Sequence, residues 1–214
     1  MIAVSALDTE LAAIAERLSV LPQRNIAAFF AACGERFFEP YAEFSVATGF
    51  GNPRQLRSLL DQAWNSLITA QPAADWKDAL RLLEEDHTPH SDDFGTLECL
   101  FAQDAVGCID ACIRSLLNAP DPRWVEIPFE AIRAAVSDEL TGFIDLGDSP
   151  DRPAFENRLI RDRRVTKELA AQYEDLSSLE GDSMLGEQTI ASIRNRAVEN
   201  RWTTSALLGT SSEK

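Results

Sequence analysis

Apolar residues recur along this chain every three or four positions and almost nowhere every second one. Leu7, Leu11, Ile14, Leu18 and Leu21 step alternately by four and three, so one apolar stripe of a helix faces a core. Asp8 or Thr9 is placed to cap that helix and Pro22 to stop it. A second helix carries Ile26, Phe29, Phe30, Cys33, Phe37, Tyr41 and Phe44. Pro40 within it lacks an amide donor and crowds the preceding turn, which predicts a kink or a break. Gly49, Phe50 and Gly51 form a turn in which either glycine can take the positive φ that ends a helix. Asn52 then suits an N-cap and Pro53 the first position of a third helix, whose core face is Leu56, Leu59, Leu60, Ala63, Trp64 and Leu67.

The same period continues to the end of the chain. Asp75 caps a shorter helix carrying Trp76, Leu80 and Leu83. Residues 86–95 read as a polar, proline-containing loop that holds both histidines, His87 and His90. Residues 96–117 are the most apolar helix, with Leu100, Ala105, Val106, Ile109, Cys112, Ile113, Leu116 and Leu117, and are expected at the centre; Pro120 and Pro122 end it. Ile127, Ile132, Val136, Leu140 and Phe143 mark the next helix, and residues 147–153 a loop. Leu159, Val165, Leu169, Tyr173 and Leu176 share one face, Gly181 and Gly186 flank a break, and residues 190–202 form the last helix. No stretch alternates β-branched residues and no repeat recurs at a fixed period. The expectation is an all-α fold: a compact bundle of about seven to eight mostly antiparallel helices, one domain over residues 1–208 with 209–214 a frayed polar tail.

A domain of 214 residues buries roughly 70% of the surface its unfolded chain exposes, so it needs no disulfide or metal staple. The longest apolar stretch, residues 26–33, is far too short to span a membrane. The N-terminus has no basic region before an apolar run, so no signal peptide is expected. Cys33, Cys99, Cys108 and Cys112 fall among apolar helical positions without a CxxC pair. Cys108 and Cys112 lie one turn apart, but two ligands do not close a zinc site, and core packing is the expected role. Reduced thiols in an unsecreted chain point to the cytoplasm.

Charge narrows the partners. The formal net charge is −15, from 20 basic and 35 acidic side chains. That opposes general binding to nucleic acid and docking on anionic lipid, both of which need a basic surface. Over residues 75–110, ten acids stand against Lys77 and Arg81. Over residues 152–167 the balance reverses, with six bases against Glu156 and Asp162. Such faces can pair within the fold, between subunits or with a partner, or simply be well solvated. Glu84, Glu85, Asp86, Asp92 and Asp93 are the candidate partner-facing surface.

A resemblance rests on Cys33, Glu35–Arg36, Pro40–Tyr41, Phe44, Thr48–Gly49–Phe50–Gly51, Arg57, Leu60–Asp61, Trp64 and Leu67. A second block is Asp92–Asp93–Phe94 with Ile109–Asp110–Ala111–Cys112, and Glu168–Leu169 with Gln172 is a weaker echo. In these residues the chain resembles the YjaG-like family of small bacterial helical proteins, a domain of unknown function. The resemblance implies a compact helical fold and a dimer; it brings no established catalytic residues.

Glu35, Arg36, Arg57, Asp61 and Asp110 form the candidate polar cluster, structural or functional. Asp61 and Asp110 are flanked by apolar residues, and a buried acid must find a charged or donor partner, for which Arg36 and Arg57 are nearest in the pattern. Arg36, Glu39 and Glu43 are also spaced for pairing along one helix. His87 and His90 beside Asp86, Asp92 and Asp93 offer imidazole and carboxylate to a divalent metal, but on no rigid element. Phosphate loops, nucleophile elbows and HExxH are absent from the sequence. The expected function is a cytoplasmic, non-enzymatic interaction or binding protein forming a homodimer, with no cofactor. The alternatives are an acidic immunity-type protein neutralising a basic toxin or other basic partner, and an enzyme or metal-binding protein with an unrecognised site.

Overall fold

In a computed structural model of the chain, which describes residues 5–70, 76–141 and 152–209, the regular elements are all helical and no strand occurs among the described residues. The expected cap Asp75, the core position Phe143, residues 147–151 of the expected loop and tail residues 210–214 lie outside them. Helix α1 (Ala6–Ser19) is capped by Ser5, whose Oγ accepts the Asp8 amide at 3.0 Å, and not by Asp8 or Thr9. The pattern Ser-x-x-Asp is itself a capping signature.

Helix α2 (Gln23–Thr48) is the most enclosed element: every residue from 25 to 38 is buried. The apolar spacing puts residues 96–117 at the centre, and α6 (Leu97–Leu116) is indeed largely buried, but it shares the centre with α2, against which it packs most extensively. Gly34 permits the approach, since a Cβ there would lie 2.9 Å from Ile109 Cγ1. Of the expected kink or break at Pro40, the break does not occur: the helix runs on through it. Proline has no amide to give the Arg36 carbonyl, and that oxygen instead accepts the Trp202 amide at 2.8 Å. A defect in the ladder is thereby converted into an anchor for a segment far along the chain.

The turn into α3 (Pro53–Thr69) follows its residue chemistry. Gly49 is left-handed at φ 75°, and Asn52 Oδ1 accepts the amides of Arg54 and Gln55 at 3.1 and 3.2 Å. Gly51 is also left-handed, at φ 72°, and a Cβ there would overlap Tyr41 Oη.

Residues 86–95 are not a single loop. Helix α4 (Trp76–Leu82) widens into a π-turn over Leu83–His87, and α5 (Ser91–Phe94) follows. After α6 come a 3-10 turn (Pro122–Glu126) and α7 (Ile127–Thr141). The face running from Leu159 to Leu176 is split between α8 (Arg152–Leu159) and α9 (Arg163–Glu180), because Asp162 caps a new helix. The final long helix, α10 (Glu187–Glu199), ends before Trp202, which leaves the helix to enter the core, and α11 (Thr204–Leu207) follows. One cluster of buried apolar side chains runs from Leu7 to Leu207. All four cysteines are buried within it as free thiols. Among the described residues, no helix is long and apolar enough to cross a membrane.

Candidate functional site

Burying α2 on all sides forces Glu35 and Arg36 into the interior, where each needs partners. Being adjacent on a helix, they point about 100° apart and reach different neighbours. The Glu35 side chain is 0% exposed. Arg57 of α3 grips it as a fork, Nη1 to Oε1 and Nη2 to Oε2 both at 2.8 Å. Arg201 and Trp64 Nε1, the latter at 3.2 Å, donate to the same carboxylate. Burial alone would push this carboxyl up, but Arg57 and Arg201 prevail and hold it below its ordinary range.

Arg36 faces α9. Its Nη2 donates to Glu168 Oε1 at 2.7 Å and its Nη1 to Asp175 Oδ2 at 2.7 Å. Trp202 Nε1 donates to Glu168 Oε2 at 3.1 Å, Gln172 Nε2 to Oε1 at 3.3 Å, and Arg196 Nη2 to Asp175 Oδ1 at 2.9 Å. Burial opposes the charge on Arg36, yet Glu168 and Asp175 outweigh it and raise its affinity for the proton further. No intrahelical pairing with Glu39 or Glu43 is needed; Glu43 instead accepts the Thr204 amide at 2.9 Å.

Asp61 joins the first network from its edge, with a side chain 43% exposed, between Arg57 at 3.0 Å and Arg194. Asp110 does not join either. It is partly exposed and pairs along its own helix with Arg114 at 2.6 Å, so the expected partnership with Arg36 or Arg57 is corrected. The buried acid of α6 is Asp104, which accepts the Ala131 amide at 3.1 Å and which burial holds well above the carboxylate range.

Five guanidiniums, those of Arg36, Arg57, Arg194, Arg196 and Arg201, therefore meet five carboxylates. The acids are Glu35, Asp61, Glu168, Asp175 and, 3.5 Å from Arg196, Glu174. The formal charges of these ten side chains cancel, and planar arginine forks suit cross-linking of helices.

The sequence pattern singles out Glu35, Arg36, Arg57 and Asp61 but misses Asp175, Arg194, Arg196, Arg201 and Trp202 as their partners. Glu168 alone among the missed charges carries a signal, as part of the weaker echo on α9.

The two histidines separate. His90 is exposed, whereas His87 is buried, with Nδ1 2.5 Å from Tyr41 Oη. Burial pushes the Tyr41 phenol up to about 12, so it keeps its proton. The other ring nitrogen of His87, Nε2, has no hydrogen-bond partner among the described residues. Burial lowers the His87 pKa against the weaker opposing pull of Asp86. The unfolded chain therefore takes up a proton more readily than the folded one. Stability from this group is complete above the ordinary histidine value of about 6.5 and is lost as pH falls below it. Urea midpoints measured from about pH 7 to about pH 5 should fall more steeply for the natural chain than for His87→Gln; parallel profiles would refute the buried neutral imidazole. Among the described residues, no group of three or more His, Cys, Asp or Glu side chains is gathered to hold a metal.

Glu84, Glu85, Asp86, Asp92 and Asp93 are all exposed, on the π-turn and on α5. Beside α5 an open groove of about 630 Å³ is lined by Glu43, Phe44, Asp93, Phe94, Glu98 and Thr204, among others.

Comparison with known proteins finds relatives in sequence and in structure. The model of the family described as "Protein of unknown function (DUF416)" matches residues 13–204. The uncharacterised protein YjaG of Escherichia coli K12 is 30% identical over 126 residues, which are 58% of this chain. That match spans 64% of the relative's own length, just short of two thirds. The crystal structure of a DUF416 family protein from Shewanella baltica OS155 superposes with a TM-score of 0.73 at 22% identity, covering 88% of this chain and 95% of that one. With its helical fold shared and its family pattern spanning nearly the whole sequence, the chain belongs to the DUF416 family.

Proposed function

We propose that this chain is a non-enzymatic interaction protein of the cytoplasm, homodimeric, that presents its acidic face to a basic protein partner. One observation carries the reading: the buried charges of Glu35, Arg36, Glu168 and Asp175 are paired within the fold, while Glu84, Glu85, Asp86, Asp92 and Asp93 remain exposed. A cation-rich surface is steered toward such a face and held there more weakly as salt rises.

The test is affinity capture from native cytoplasm at low and moderate salt, followed by mass spectrometry, with a Glu84→Gln/Glu85→Gln/Asp86→Asn variant alongside. A basic partner held by the natural chain, released by salt and lost in the variant is the expected result. Recovery of the protein alone at both salt concentrations would overturn the partner. Light scattering after size exclusion tests the dimer, and a monomer at micromolar concentration would overturn that part.

A further inference from the structure

The groove beside α5 adds to the acidic face two features that exposed carboxylates alone lack. Its floor is aromatic: the Phe44 and Phe94 rings lie 5.1 Å apart and nearly perpendicular, and Phe50 completes the cluster at 5.5 Å from Phe94. Its rim is acidic, with Glu43, Asp93 and Glu98 and no base among the lining residues. Glu43 is fixed in place by the Thr204 amide. The wall formed by α2 is the end of that helix, whose last turn contains no basic side chain. Its terminal carbonyls form the negative end of the helix dipole, with no cation of their own element to offset it. At the nearby start of α6, the Thr96 side chain accepts the Cys99 amide and Glu98 places a negative charge in the first turn.

We infer that this groove binds a cationic amphipathic segment of a protein partner, an arginine or lysine beside an apolar side chain. The inference rests on the interaction reading above and narrows it from a face to a groove. The rim carboxylates and helix end attract the cation, and the phenylalanine floor takes the apolar neighbour. A groove open to solvent suits a length of chain better than an enclosed small molecule.

The test uses the full chain and fluorescence anisotropy with a labelled peptide of about 12 residues alternating arginine and leucine, and an arginine–serine peptide as control. The arginine–leucine peptide should bind at least about tenfold more tightly, and Phe94→Ala or Asp93→Asn/Glu98→Gln should each weaken it by about tenfold or more. Circular dichroism should show both variants folded. Equal binding of the two peptides, or binding unchanged in the folded variants, would overturn the groove. So would light scattering that shows a dimer lost in Phe94→Ala, which would make a second copy the occupant. If the groove variants still capture the cellular partner while the Glu84/Glu85/Asp86 variant does not, the interaction reading stands and the groove assignment falls.

Discussion

Replacing Arg36 with methionine should destabilise this protein by about 3–5 kcal/mol, a large share of the roughly 5–15 kcal/mol that holds a typical domain together. The size follows from what the substitution leaves behind. Glu168, with a side chain 0% exposed, loses the guanidinium at 2.7 Å and keeps only Trp202 Nε1 and Gln172 Nε2. Asp175 keeps Arg196 but loses its contact with Arg36. An uncompensated charge in that position must take up a proton or admit water, and either costs more than the pair itself contributed. The triple variant Arg36→Met/Glu168→Gln/Asp175→Asn removes the charges together and should recover at least half the loss. Urea midpoints at constant m-value measure both. A midpoint unmoved by Arg36→Met would mean that this buried pairing does not hold α2 to α9.

Trp64→Ala should also cost about 3–5 kcal/mol. The ring is fully buried, so its removal opens a cavity between α2 and α3 that the surrounding helices can only partly fill. It also takes a hydrogen bond from Glu35 and a stacking surface from Arg194, whose guanidinium lies 5.7 Å from the ring centroid. Trp64→Phe separates the two contributions. It keeps most of the apolar volume but loses the indole donor, and because Arg57 and Arg201 still hold Glu35, it should cost only about 1–2 kcal/mol. Equal losses for alanine and phenylalanine would show that the indole N–H, and not the packing, sets the cost.

The helices were legible because their signal is local. The turn from Gly49 to Pro53 could be read residue by residue, since a left-handed glycine, an asparagine cap and a first-turn proline each act within a few positions. The partners of Glu35 and Arg36 were not legible, because most of them lie on α9, α10 and the segment after it, from 132 to 166 residues further along. Helical spacing says which side of α2 a residue faces but not which distant helix arrives there. Asp110 was misread for a related reason. Apolar flanks in sequence do not place a residue on an apolar face, whereas Asp104 stands at four-residue steps from the buried Cys108 and Cys112 and so shares theirs. His87 could not be separated from His90 without the π-turn, which re-aims one imidazole inward.

The amide of Trp202 on the Arg36 carbonyl also bears on how the chain is made. Translation delivers α2 early, yet the indole that completes Glu168, and the guanidinium that completes Glu35, come from residues 202 and 201. Until the ribosome has passed those codons, a nascent chain holds interior charges with no complete set of counterparts. The early helices can form and collapse on one another, but the interior cannot close around them. The appearance of residues 201 and 202 is therefore the point at which this domain becomes able to finish folding.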